Sequence, residues 1–228
     1  MCGRFTLSAN RQRLKDTFPL WEFPDTVPRF NIAPTQPVLA IRQEEDAQPK
    51  AAILRWGLIP SWAKDMKLSA SLINARADSV ASKPSFRSAF KRRRCLILAD
   101  GFYEWKKEGK QKLPYYFQLA EGQPFAFAGL WDRWRGPEAS GAEAVESCTI
   151  VTTTANELCG EFHDRMPVIL RPTDHDLWLD PDMKQSELLL PLLSPLPACE
   201  MQSRQVSPRV NNVRNDDAGV LEAEQSLF

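Results

Sequence analysis

An α+β fold, built as one compact and mainly antiparallel domain, is predicted by three features of the sequence. Short apolar and aromatic runs alternate with turn-forming clusters, helical patterns are fewer and short, and neither a repeat nor a domain linker interrupts the chain. With 228 residues, 43% of them hydrophobic, the chain can bury a single large core.

Ala9 to Phe18 opens the series as a helical pattern. Val38 to Arg42 and Ala51 to Leu58 read as strands, being apolar runs bounded by turn-prone residues. Ser85 to Phe90 is a short helix; Ser, Thr or Asn at or before the start of several helical segments supplies candidate N-caps. Strand runs follow at Cys95 to Asp100, Phe102 to Lys106, Tyr115 to Leu119 and Phe125 to Trp131. Lys107-Glu108-Gly109-Lys110 and Glu121-Gly122-Gln123-Pro124 supply the glycine that hairpins favour, so an antiparallel meander from Cys95 to Trp131 is the expected core. Arg135 to Glu146 is expected to be a mobile surface loop ahead of the strand Thr149 to Thr153. Helical patterns at Asn156 to Phe162, Thr173 to Leu179 and Lys184 to Leu193 complete the domain, which is expected to span 1–215 and to leave 216–228 as a polar, poorly ordered tail.

Lys plus Arg and Asp plus Glu both number 29, so any binding of a polyanion must come from a local cationic surface. The cysteines, Cys2, Cys95, Cys148, Cys159 and Cys199, are odd in number and contain no C-x-x-C pair, which argues against a disulfide framework and a zinc knuckle and for a reducing compartment. No signal-like amino terminus and no run near the roughly 20 apolar residues of a membrane span is present, so a cytoplasmic or nuclear protein without a membrane partner is expected.

The amino terminus, Met1-Cys2-Gly3-Arg4-Phe5, carries the sharpest chemical signal. A small second residue permits removal of Met1, which would give Cys2 a free α-amine. Such an amine has a reference pKa of about 7.7 to 8.0, so a useful fraction is nucleophilic at neutral pH. It can condense with an aldehyde to an imine, on which the thiol of the same residue closes a five-membered thiazolidine ring. Only a terminal cysteine can do both; taken alone, Cys2 reads more readily as an ordinary small core residue.

Cys2-Gly3-Arg4-Phe5 is followed in order by Asn31-Ile32-Ala33-Pro34, Trp56-Gly57-Leu58-Ile59-Pro60-Ser61-Trp62, Ile73-Asn74-Ala75-Arg76, Ala99-Asp100-Gly101-Phe102-Tyr103-Glu104-Trp105 and His163-Asp164-Arg165-Met166-Pro167. This ordered set resembles the SOS-response-associated peptidase family, whose members sense abasic sites in DNA. The resemblance implies a β-barrel-like core flanked by short helices, a cationic groove for single-stranded DNA, and a covalent thiazolidine link between the terminal cysteine and the ring-opened sugar of an abasic site. It implies Cys2 as nucleophile, Asn74 as the positioning group, and Glu104 and His163 as proton carriers. Imine formation needs acid and base help, histidine exchanges protons near neutral pH, and an amide orients without competing for protons. No cofactor is expected, and Cys159 with His163 lacks the second ligand pair that zinc would need.

Arg4, Arg76 and Arg165 lie close in sequence to Cys2, Asn74 and His163, so convergence of those three would bring the guanidiniums together as a phosphate clamp. The resemblance also implies DNA contacts at Asn31, Pro34, Trp62 and Thr152, with Trp62 stacking on a base; Ala63 stands where the family often carries a second aromatic. Lys91-Arg92-Arg93-Arg94 is the densest basic run and reads as a solvated face outside the site. The partner expected is single-stranded DNA with an abasic site, bound by a monomer; no feature names a partner in the replication machinery. Competing readings are a thiol peptidase or autopeptidase using Cys2 and His163, an abasic-site lyase working through the same imine, and a single-strand-binding module with an inert Cys2.

Overall fold

A computed structural model describes residues 2–44, 47–136 and 143–223. In chain order its strands are β1 (Phe5–Leu7), β2 (Arg29–Ile32), β3 (Pro37–Arg42), β4 (Lys50–Trp56), β5 (Asn74–Arg76), β6 (Arg94–Ala99) and β7 (Gly101–Glu108), followed by β8 (Gln111–Leu119), β9 (Phe125–Trp134), β10 (Val145–Thr154), β11 (Arg165–Pro167), β12 (Ile169–Leu170) and β13 (Met201–Gln205). The helices are α1 (Arg11–Thr17), α2 (Arg87–Arg92), α3 (Glu157–Gly160), α4 (His175–Leu179) and α5 (Ser186–Leu189).

Pairing of β4 with β3, β3 with β6, β6 with β9 and β9 with β10 is antiparallel, and β10 returns to β4 in parallel through Ser147↔Arg55 and Cys148↔Trp56, closing a five-stranded mixed barrel. Closure leaves these strands without a free edge. Every residue of β6 is buried, and β9 is buried throughout except Arg133. Such runs belong to strands covered on both faces, here by the barrel interior and by an outer layer. Part of that layer is a second, antiparallel sheet in the order β13-β8-β7-β1-β2. The two sheets meet in an aromatic cluster: Phe5 packs against Trp56 and Phe127 with centroids 5.1 and 5.7 Å apart, and Phe102 stacks on Phe117 at 5.1 Å.

The expected meander is real in only one of its hairpins. β7 and β8 pair from Phe102↔Phe117 to Glu108↔Gln111, but β8 takes β13 as its other neighbour, while β9 lies in the barrel beside β6. The segment around Gly122 is therefore a crossover between sheets, because β8 finds its second partner in the carboxy-terminal strand. At the other change of sheet, Asp100 turns the chain from β6 into β7 and accepts from Ser8 N–H at 2.6 Å, Ala9 N–H at 2.9 Å and the Thr6 hydroxyl. A Cβ on Gly101 would stand 2.1 Å from the Tyr116 ring, so only glycine fits this corner.

Helices fall near where expected, α2 shifted by two residues and the others shorter: α3 is a single turn capped by Asn156, whose side chain accepts from Cys159 N–H at 2.8 Å, and α5 passes at Leu190 into a 3-10 turn containing Pro191. Of the loop expected at Arg135 to Glu146, 137–142 lie outside the described residues and Val145 already begins β10. The expected tail is corrected over 216–223, and 224–228 lie outside the described residues. Asp216 accepts from the backbone N–H of Phe30 at 2.5 Å and Asn31 at 2.8 Å and pairs with Arg29, and Val220, in a 3-10 turn, is fully buried. Polar composition misled here: the aspartate caps the open edge of β2, and Val220 joins Tyr103, Tyr116, Val206 and Val210 in a small core of their own.

Candidate active site

The register of β1 on β7, Phe5↔Phe102 and Thr6↔Gly101, continues in the bond from Tyr103 N–H to the Arg4 carbonyl at 3.0 Å. Glu104 follows Tyr103 on β7, and its carboxylate lies near enough to act on the Cys2 thiol through its charge. From the barrel side, β5 pairs in parallel with β10 through Ile150↔Asn74, and Trp56 Nε1 donates to the Ile73 carbonyl at 2.9 Å. Asn74, so fixed, donates from Nδ2 to the Cys2 carbonyl at 2.8 Å. Its Oδ1 is buried and has no hydrogen-bond partner among the described residues. A buried acceptor left open usually marks a place for water or substrate.

Cys2 is fully buried, and burial pushes its thiol well above the usual cysteine range, with the Glu104 carboxylate pushing the same way. Cys159, buried on α3, is raised by burial and then by Glu104, to about 12. Both thiols therefore stay protonated at neutral pH. Glu104 and His163 line one recess of about 660 Å³, together with Trp105, Lys106 and Asn211. His163 is half-buried; its Nδ1 lies 3.0 Å from Arg165 N–H and 2.6 Å from Asp164 Oδ1. Without a proton, Nδ1 accepts from the amide; with one, it donates to Asp164. The ring thus has a partner in either state.

The guanidiniums do not form one clamp. Arg4 is half-buried, donates to Asn31 Oδ1 at 2.7 Å and the Val210 carbonyl at 2.8 Å, and lies 5.8 Å from the Trp105 ring. Arg76 is exposed and pairs with Asp78 at 2.8 Å. Arg165 reaches the same carboxylate at 3.5 Å but is buried, and it donates to the Thr152 carbonyl and hydroxyl. Thr152 and Asn31 are fully buried; Asn31 donates to the carbonyls of Val210, Asn212 and Asn215. Of the positions expected to touch DNA, Asn31, Thr152 and Arg165 are therefore closed off here, and they brace Arg4 and β11 from beneath. Pro34 is half-buried, and Trp62 is 58% exposed beside Pro84, Arg87 and Ser88 in a separate recess of about 400 Å³.

Sequence reasoning weighed Cys159 only as a metal ligand and so missed it as a neighbour of Cys2. Its spacing from the conspicuous His163 pointed away from the thiol facing the terminus. Among the described residues no group of three or more His, Cys, Asp or Glu is disposed to hold a metal, and no helix is long and apolar enough to cross a membrane.

The family model for the SOS response associated peptidase (SRAP) matches residues 1–213. The chain belongs to this family. Its SRAP relatives include the abasic site processing protein YoqW of Bacillus subtilis, 41% identical over 98% of this chain and 100% of that protein, and HMCES of Xenopus tropicalis, 32% identical over 95% and 76%. A crystal structure of a protein from Bacteroides thetaiotaomicron superposes with a TM-score of 0.85 at 26% identity, covering 97% of this chain and 99% of that one. The SRAP resemblance read from the motif blocks is borne out along the chain, and so is the α+β domain with its barrel core.

Proposed function

We propose that this SRAP protein captures abasic sites in single-stranded DNA through Cys2, once Met1 is removed, and shields them as a thiazolidine adduct. The freed amine adds to the aldehyde carbon of the ring-opened sugar. A proton passed through Glu104 converts the new hydroxyl into departing water and leaves an imine; the Cys2 sulfur then bonds to the same carbon while the thiol proton moves to nitrogen. One water is released and no oxidant is required. His163, on the same recess, serves opening of the sugar ring and reversal of the adduct.

The observation that carries this reading is the bond from Asn74 to the Cys2 carbonyl, which pins residue 2 while the buried amide oxygen, without a partner among the described residues, can orient an amine or a sugar hydroxyl. The raised thiol supports the same choice. Peptidases of the thiol type attack as thiolates, whereas ring closure can use the protonated sulfur and needs its proton. The names of the relatives, abasic site processing proteins, agree.

The decisive experiment mixes the protein with an oligonucleotide bearing one abasic site and resolves the products on a denaturing gel, with and without borohydride. A heat-resistant adduct without reductant is expected, at the intact mass of the protein lacking Met1 plus DNA minus one water. Cys2→Ala retains an amine and is expected to give only the reducible imine or a cut strand. A durable adduct in Cys2→Ala, or one from protein that keeps Met1, would overturn the reading; a cut strand from wild type with no adduct would make it a lyase.

A further inference from the structure

The β7–β8 hairpin runs past the sheet that holds it. β7 meets β1 at Gly101 and Phe102, and β8 meets β13 from Tyr115 to Leu119, so 105–113 form a two-stranded ribbon with no third strand at either edge among the described residues. Its tip, Lys106-Lys107-Glu108-Gly109-Lys110-Gln111-Lys112, gathers four lysines against one glutamate in a chain of net charge +0. Gly109, at φ +60°, closes the turn. Lys107 and Lys112 are direct cross-strand partners and both exposed. Like charges so opposed repel and weaken the ladder.

Lys106 has an internal use: it lies 3.6 Å from Glu161 and 5.6 Å from the centre of the Phe162 ring. Among the described residues, no carboxylate lies within 4.0 Å of Lys107, Lys110 or Lys112. Lysine on a free edge guards against strand addition, but that purpose is met without placing two lysines opposite each other. The position of the ribbon supplies a reason: Lys107 and Lys112 line the same recess as Glu104 and His163.

We propose that this ribbon is a phosphate-binding arm, in which Lys107, Lys110 and Lys112 hold the backbone of the single strand where it leaves the recess. The proposal rests on the reading of the recess as the abasic-site pocket. Each lysine acts as a point charge, so the arm grips without reading bases.

The test replaces all three by glutamine and follows fluorescence anisotropy of a long, undamaged single strand over a range of salt. Each phosphate contact is worth a slope of about 0.7 in log K against log salt, so the variant's slope is expected to be shallower by about 2. Lys107→Glu adds a sharper readout, because glutamate opposite Lys112 should raise the melting temperature while it weakens DNA binding; a purely structural role moves one without the other. An unchanged slope in the triple variant, or a Lys107→Glu protein that binds as wild type does, overturns the arm. A trinucleotide with a central abasic site, mixed with each protein, tests the recess by itself, and wild type is expected to form the adduct. If neither protein forms it while the slope still falls, the arm stands and the abasic-site reading fails; adduct with an unchanged slope removes the arm alone.

Discussion

The interior of the site and its rim hold their side chains in opposite ways. Inside, Cys2 is fully buried, its carbonyl is tied to Asn74, and Glu104 is 7% exposed on a strand bonded on through the Arg4 carbonyl. On the rim, Trp62 is 58% exposed, Arg76 is exposed and pairs with Asp78, and Lys107, Lys110 and Lys112 stand in water. The interior is built for one geometry, where a small displacement costs rate; the rim is built from separate contacts, each of which can be lost at modest expense. Chemistry and affinity are therefore expected to be separable by mutation.

The largest effect should follow Glu104→Gln, which keeps size and removes the proposed proton carrier. Adduct formation is expected to slow by about 10²- to 10⁴-fold, with affinity for undamaged single strands within a factor of two or so. Rapid-quench kinetics beside anisotropy read the two quantities, and matched losses would mean that interior and rim are not distinct. His163→Gln should show the same selectivity with a smaller loss of rate.

Arg165→Ala tests the assignment of this arginine to the interior. It removes two charge-assisted bonds to the buried Thr152, whose carbonyl keeps Ala77 N–H at 2.9 Å and whose hydroxyl keeps the Ala75 carbonyl at 3.4 Å, so thermal or urea unfolding should show a loss of about 1 to 3 kcal/mol. A stable variant with weakened DNA binding would return Arg165 to the rim. Trp62→Ala should leave stability alone and weaken single-strand binding by about 1 to 3 kcal/mol, with the salt slope preserved because stacking releases no counterions. The smallest effect is expected for Arg76→Ala, a salt slope shallower by about 0.7 or less, because Asp78 already competes for the guanidinium.

The same division explains what could be read in the sequence. Barrel strands such as β6 and β9 are long apolar runs and declare themselves by pattern. Glu104 and Thr152 sit on the longer β7 and β10, which pattern also finds, but the other strands of the site do not declare themselves: Arg4 precedes β1, Asn31 lies in β2, Asn74 and Arg76 in β5 and Arg165 in β11, elements of three or four residues. So short a strand has no period, and it exists only because a distant partner pairs with it. Motif resemblance found these positions where periodicity was silent. It could not show that Asn31, Thr152 and Arg165 point inward, since a motif records which residues recur together and nothing of their exposure. The two-sheet arrangement was hidden for a related reason: the choice of β13 over β9 as the neighbour of β8 is made far along the chain.

That dependence on distant sequence has a consequence for how the protein is made. Arg4 is held by the carbonyl of Val210, 206 residues away, and Asn31 by carbonyls as far on as Asn215. A ribosome delivers residue 2 long before this latch, so on the proposed chemistry a nascent chain carries its reactive terminus in the open while the pocket that would aim it does not yet exist. An outside enzyme that trims Met1 works on that loose end, whereas self-cleavage has to wait for the full chain. A product stalled before Val210 would expose a cysteine with nothing to restrict which aldehyde it meets.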